Sequence, residues 1–185
     1  MSLPRFALAV LASPAFADTR PSVADPAAYY FSQGATLDPA IPSPEQFLGY
    51  PIGSRYTRHD RLVAYFEALA KASDRVQVQH IGRSYEGRPL LLLTISSPAN
   101  LGRLDTIKAQ RQQLVNPGAA IPADAPAVAW LAYSVHGNET SGGEAALLTA
   151  YYLAASQDAE TLRWLDQAVV VIDPAQNPDG RDRAA

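Results

Sequence analysis

A chain of 185 residues with 48% hydrophobic and 18% charged residues has the composition of one globular domain with a sizeable core. Its formal net charge of -3, with both signs interspersed, offers no basic stripe to neutralise phosphates, so nucleic acid is not an expected partner. No apolar run approaches the ~20 residues that span a bilayer, and with no cysteine any metal site must be built from histidine and carboxylates.

In chain order, residues 1–17 read as a secretory signal peptide: Arg5, the apolar run Phe6 to Ala12, and the small-x-small site Ala15-Phe-Ala17. Export to the periplasm or the exterior, with cleavage after Ala17, is the expectation. Residues 18–57 form a Pro-rich lead-in, punctuated by Pro21, Pro26, Pro39, Pro42, Pro44 and Pro51, that wraps the domain. From Asp60 to Lys71 the apolar residues Leu62, Val63, Phe66, Leu69 and Ala70 recur at helical spacing. The alternating run Val76 to Ile81, the turn residues Gly82 to Gly87 and the apolar run Leu90 to Ser96 predict a hairpin. A helix over Leu104 to Leu114, with Leu104, Ile107, Arg111 and Leu114 on one stripe, stops before Asn116-Pro-Gly118.

Val128 to Val135 shows no polar alternation, which predicts a central strand covered on both faces. Ser141-Gly-Gly-Glu144 fits a capping box, with the helix running on through Ala145 to Ala155. A short helix over Asp158 to Leu165 and a buried strand Val169 to Ile172 come next, and Asn177-Pro-Asp-Gly180 reads as a turn. The fold class these elements indicate is α/β, a three-layer α/β/α sandwich with a mixed β-sheet, incomplete on its C-terminal side.

The chemistry concentrates in His136-Gly-Asn-Glu139, directly after the predicted central strand. In open α/β sheets the ligand site lies where strand ends lead into helices. An imidazole and a carboxylate three residues apart on a tight turn can aim at one point about 2 Å from each, the ligand distance of Zn²⁺. Gly137 keeps the turn free of a side chain that would crowd the ion, and Gly142 and Gly143 let the helix start pack closely. A plain reading competes: a hydrogen-bonded loop histidine and a glutamate that complements the helix dipole.

Three segments together are much more specific than this pattern alone. His136-Gly-Asn-Glu139, with Ile81-Gly-Arg-Ser-Tyr-Glu-Gly-Arg-Pro-Leu90 upstream and Asn177-Pro-Asp-Gly180 downstream, resembles the zinc carboxypeptidases of the carboxypeptidase A type, in that family's order and spacing. The resemblance runs from about His59 to Asp182 and makes residues 58–185 the N-terminal part of such a catalytic domain. It implies that His136 and Glu139 are two of three ligands to a Zn²⁺ cofactor. The third ligand, a histidine, and the glutamate that deprotonates the metal-activated water would lie downstream of residue 185. Asn138 is a candidate substrate-binding residue, but several digestive members carry Arg between the two ligands where this chain has Asn138, so a contact that helps bind peptide in those enzymes is lost here.

With the signal pattern, the resemblance implies an exported metallocarboxypeptidase that hydrolyses the C-terminal bond of a peptide substrate, with the 185 residues alone expected to be inactive. Two alternatives stay open: a zinc-dependent deacylase or cell-wall peptide amidase on the same scaffold, or a non-catalytic binding module with a degenerate site. His80, alternating with Val76 and Val78, is expected as a hydrogen-bonded core residue, and His59 as the residue preceding a helix. Arg83, Glu86 and Arg88 read as hairpin-turn residues, Asp179 as the fixer of its own turn, and Arg181 and Arg183 as solvated. Ser134, Ser141 and Tyr133 lack the His and Asp partners of a nucleophile.

Overall fold

The computed structural model describes residues 29–31, 34–120 and 122–185. The signal segment expected at 1–17 lies outside the described residues. Much of the lead-in is built into the domain. Ser43 caps helix α1 (Pro44–Leu48): its Oγ accepts from the Gln46 amide at 3.2 Å, and the Gln46 side chain accepts from the Ser43 amide at 2.9 Å. Pro44 presets the first turn, and Gly49, at φ 80°, closes the helix in the left-handed region. Ile41, Leu48 and Ile52 are buried in the main core. Amide bonds from Asp38 to Ala155 O and from Gln157 to Thr36 O, both 2.8 Å, tie the segment to the far end of the domain.

Helix α2 (His59–Ala72) buries Leu62, Tyr65, Phe66 and Leu69, a stripe at helical spacing, and each such side chain contributes about 1.5–3 kcal/mol of apolar burial. Strands β1 (Val76–Arg83) and β2 (Pro89–Ile95) form the expected antiparallel hairpin. Helices α3 (Pro98–Leu101) and α4 (Leu104–Gln113) come next; of the α4 stripe, Ile107 is buried, and Leu114 lies just past the helix end and is exposed. Strand β3 (Ala127–Ala132), helix α5 (Ser141–Ala155), helix α6 (Ala159–Gln167), strand β4 (Ala168–Asp173) and helix α7 (Pro178–Ala184) complete the order.

The sheet is mixed, in the order β1-β2-β4-β3, with β3 parallel to β4 and the other pairs antiparallel. Cross-strand partners Val76 with Ile95 and Leu93 with Ile172 put these side chains on one face, and that face packs against α2 and α5. Gln77 points to the other face, where it lies beside the residues from Leu101 to Lys108.

Four readings of the sequence are corrected. Strand β3 is an edge strand, with Val128 45% and Trp130 62% exposed, because β4 pairs with only one of its sides and nothing among the described residues covers its outer face. An all-apolar run reports the environment a strand is suited to, and here the described chain does not supply the second cover. Asn177-Pro-Asp-Gly180 is a helix start: Asn177 caps α7 by accepting from the Gly180 amide at 2.9 Å, and Pro178 takes the first position. His80 is exposed and hydrogen-bonds Glu67 at 3.1 Å, because β1 is the opposite edge and its core face ends at Val78. His59 is the first residue of α2 and is buried.

Candidate metal centre at the ends of β3 and β4

The parallel strands β3 and β4 end side by side, and the loops that leave them are stitched together. The Tyr133 amide donates to Asp173 O at 2.8 Å, the Gln176 amide to Tyr133 O at 3.1 Å and the Asn177 amide to Ser134 O at 3.1 Å. Ser134 adopts φ 53°, an uncommon left-handed conformation for a residue with a side chain, and its buried hydroxyl has no protein partner. Strained backbone of this kind persists where surrounding contacts over-determine it. It turns the chain out of β3 two residues before His136.

The next turn is closed by the Glu139 amide donating to His136 O at 3.1 Å. This brings the two side chains together: His136 Nδ1 lies 3.1 Å from Glu139 Oε1, with the side chains 70% and 61% exposed. A carboxylate only accepts, so Nδ1 carries the proton in this arrangement. Two zinc ligands about 2.0–2.2 Å from one ion at a tetrahedral angle sit roughly 3.4 Å apart, so the pair is spaced to exchange a shared proton for a shared cation. The residues present fit two positions of a zinc site. Among the described residues, no group of three or more His, Cys, Asp and Glu side chains is assembled to hold a metal. Asn138 is exposed, and with His136, Gly137, Asn177, Gly180, Arg183 and Ala184 it borders an open recess of about 350 Å³.

Behind the exposed pair the structure is buried and closely packed. The expected capping box does not form: Thr140 is the N-cap and makes no side-chain cap bond, and Ser141 is the first residue of α5. Glu144 turns instead to the interior, where it accepts from the Thr57 amide at 2.9 Å, from Thr57 Oγ1 at 2.9 Å and from Arg181 Nη2 at 2.8 Å. A buried carboxylate with a guanidinium in reach gains more from that pair than from one helix-start amide. Arg181, expected in solvent, is fully buried: Nε donates to Thr57 O at 2.8 Å, and Cζ lies 4.3 Å from the Tyr56 ring centroid. The Tyr56 hydroxyl donates to Gly137 O, and burial raises the phenol above its ordinary pKa against the pull of Arg181, so it stays a donor.

The glycines are explained by these neighbours. A Cβ on Gly137 would lie 2.1 Å from the Arg181 nitrogen and 2.2 Å from the Gly180 carbonyl carbon, so the backbone of α7 forbids a side chain there. A Cβ on Gly143 would lie 2.4 Å from Arg181 Nη1, and one on Gly142 would lie 2.9 Å from the Ser134 nitrogen, so both let the helix start pack closely.

A second network joins the hairpin turn to α7. Asp179 does not fix its own turn but accepts from Ser84 Oγ at 2.6 Å, Arg88 Nη1 at 2.8 Å and the Glu86 amide at 3.1 Å. Arg88 Nε donates to Asp182 at 2.8 Å, the His59 amide donates to the same carboxylate at 2.8 Å, and Glu86 pairs with both Arg88 and Arg183. Burial alone would raise Asp179 and Asp182, but the hydroxyl, guanidinium and amide donors hold both carboxyls below the usual range. His59 donates from Nε2 to Pro89 O at 2.8 Å, leaves a buried Nδ1 without a partner, and is pushed by burial below its ordinary pKa. Neither His59 nor His80 joins His136 and Glu139. Sequence reasoning missed Tyr56, Thr57 and Arg181, and the signal for them was the run of glycines, which marks where other backbone or side chains press in.

Residues 62–185 match the family described as zinc carboxypeptidase. The chain belongs to the zinc carboxypeptidase family. Its members are peptide hydrolases that use zinc. Comparison with curated proteins gave no significant match. Among solved structures, the chain is similar to thrombin activatable fibrinolysis inhibitor, at TM-score 0.51 and 20% identity over 77% of this chain and 32% of that one. It is also similar to the carboxypeptidase A from Helicoverpa armigera, at TM-score 0.50 and 20% identity over 75% of this chain and 31% of that one. At such identities the likeness is one of fold, and the chain spans about a third of each of those structures.

Proposed function

We propose that this chain carries the first two metal ligands, His136 and Glu139, of an exported zinc-dependent carboxypeptidase that removes the C-terminal residue of a peptide. One observation supports this above the rest: within a zinc carboxypeptidase domain, His136 Nδ1 and Glu139 Oε1 stand 3.1 Å apart, both exposed, at the ends of parallel strands. A zinc ion bound there would supply a Lewis acid for the scissile carbonyl and acidify a water molecule towards pKa ~7. The chain's own part is to present two ligand atoms from a turn whose backbone is fixed, and to leave the solvent side open for further ligands and substrate. Asn138 offers an amide, donor and acceptor at once, at the recess beside His136, where it would hydrogen-bond peptide backbone without adding charge.

Export rests on the signal pattern of residues 1–17. The test is hydrolysis by the full-length protein of peptides with free and with amidated C-termini, with and without a chelator. Cleavage of the free peptides alone, abolished by the chelator and restored by zinc, is the expected result. Equal cleavage of both kinds would replace this reading with the amidase or deacylase alternative.

A further inference from the structure

We propose that Tyr56 is a positioning residue, whose hydroxyl holds the peptide plane at Gly137 and so fixes the His136–Glu139 turn. Two hydrogen bonds define that turn. One is internal, from the Glu139 amide to His136 O at 3.1 Å; the other comes from outside, from the Tyr56 hydroxyl to Gly137 O. Gly137 O is the carbonyl between the two candidate ligands, so the rotation of its peptide plane sets how the His136 end of the turn faces the Glu139 end. Where a Cβ on Gly137 would stand, the Gly180 and Arg181 backbone leaves no room for it. The turn is therefore held by a phenol and packed against the first turn of α7.

Tyr56 is itself fixed. The Arg181 guanidinium lies 4.3 Å from its ring centroid, and that guanidinium is pinned by Thr57 O and Glu144. The same arginine thus packs its backbone against Gly137 and steadies the tyrosine that holds the Gly137 carbonyl. Tyr56 touches neither His136 nor Glu139 in the contacts described, so its effect is through backbone. Groups hydrogen-bonded directly to metal ligands typically change metal affinity by about 10–100-fold when removed, so a partner that acts through the backbone is expected at the low end of that range. The functional consequence rests on the metal-site reading above; the positioning itself does not.

The experiment compares wild type, Tyr56→Phe and Tyr56→Leu in the full-length protein by amide hydrogen exchange and by titration with Zn²⁺. Tyr56→Phe keeps the ring under Arg181 and deletes only the hydroxyl. It is expected to speed exchange of the Glu139 amide at least tenfold, leave the β2 amides of Leu93 and Ile95 unchanged, and weaken zinc binding about tenfold. Tyr56→Leu should do the same in the turn and also loosen α7. Exchange at Glu139 unchanged in Tyr56→Phe, or raised there no more than at Leu93 and Ile95, overturns the proposal. Faster exchange confined to the turn in Tyr56→Phe, in a protein whose wild type binds no zinc, would uphold the positioning and sink the metal-site reading instead.

Discussion

The two halves of the candidate site are built on opposite principles. Arg181, Glu144, Thr57 and Tyr56 are packed so that nearly every polar atom has a protein partner, whereas His136 and Glu139 are exposed and have chiefly each other. The buried half is the expensive one to break, because removing one member of a buried ion pair strands the other without water. The exposed half costs the fold almost nothing. A chain that holds two side chains from behind and leaves them solvated in front keeps the residues that stabilise the fold apart from the two that stand free to bind.

The largest effect is therefore expected behind the turn. Arg181→Met should lower unfolding free energy by about 3–5 kcal/mol in denaturant titration, since the Glu144 carboxylate is left buried and unpaired. Adding Glu144→Gln should recover part of that loss; if the double variant is no better than the single, the pair is not what Arg181 supplies. Gly137→Ala comes next, at about 3 kcal/mol, because its Cβ would meet backbone on α7 that cannot step aside. A Gly137→Ala protein of unchanged stability would mean that the turn and α7 are not in contact.

The pH dependence is a smaller and separable effect. His59 is held neutral, and Asp179 and Asp182 ionised, at pH values where the unfolded chain would already bind a proton. In each case the folded pKa is depressed, so the stability is present above the unfolded pKa and is lost as pH falls through the folded one. Thermal melting should therefore lose ground first below about pH 6.5, from His59, and again below about pH 3.9, from the aspartates. His59→Gln should remove the first stage and keep the second. The smallest effect on the fold belongs to the exposed half: His136→Ala should shift stability by no more than about 0.5 kcal/mol.

The same contrast between local and distant partners governs what could be read in advance. The amphipathic stripe Leu62, Phe66 and Leu69 and the hairpin around Gly87 carry their periods in the sequence and fold as those periods say, and the apolar run Val169 to Ile172 forms the expected strand. The Ser141-Gly-Gly-Glu144 pattern misled because a local cap and a distant arginine compete for the same carboxylate, and the distant partner is invisible to a four-residue pattern. Asn177-Pro-Asp-Gly180 is equally suited to a turn and to a capped helix start, and the residues after Gly180, which continue α7 to Ala184, decide between them. Val128 and Trp130 are apolar for a cover that the described residues do not contain. In the site, the proximity of His136 and Glu139 was legible from their spacing, whereas the buried support was visible only as glycines with no evident reason.

The central claim is that His136 and Glu139 are metal ligands whose support lies elsewhere. The most direct test is the zinc content of the purified full-length protein, beside His136→Ala and Glu139→Ala, with melting temperature measured on the same metal-free samples. The account expects about one zinc per chain in the wild type, loss of it in both variants, and metal-free melting temperatures that agree within a few degrees. Zinc retained at full occupancy in both variants would contradict it.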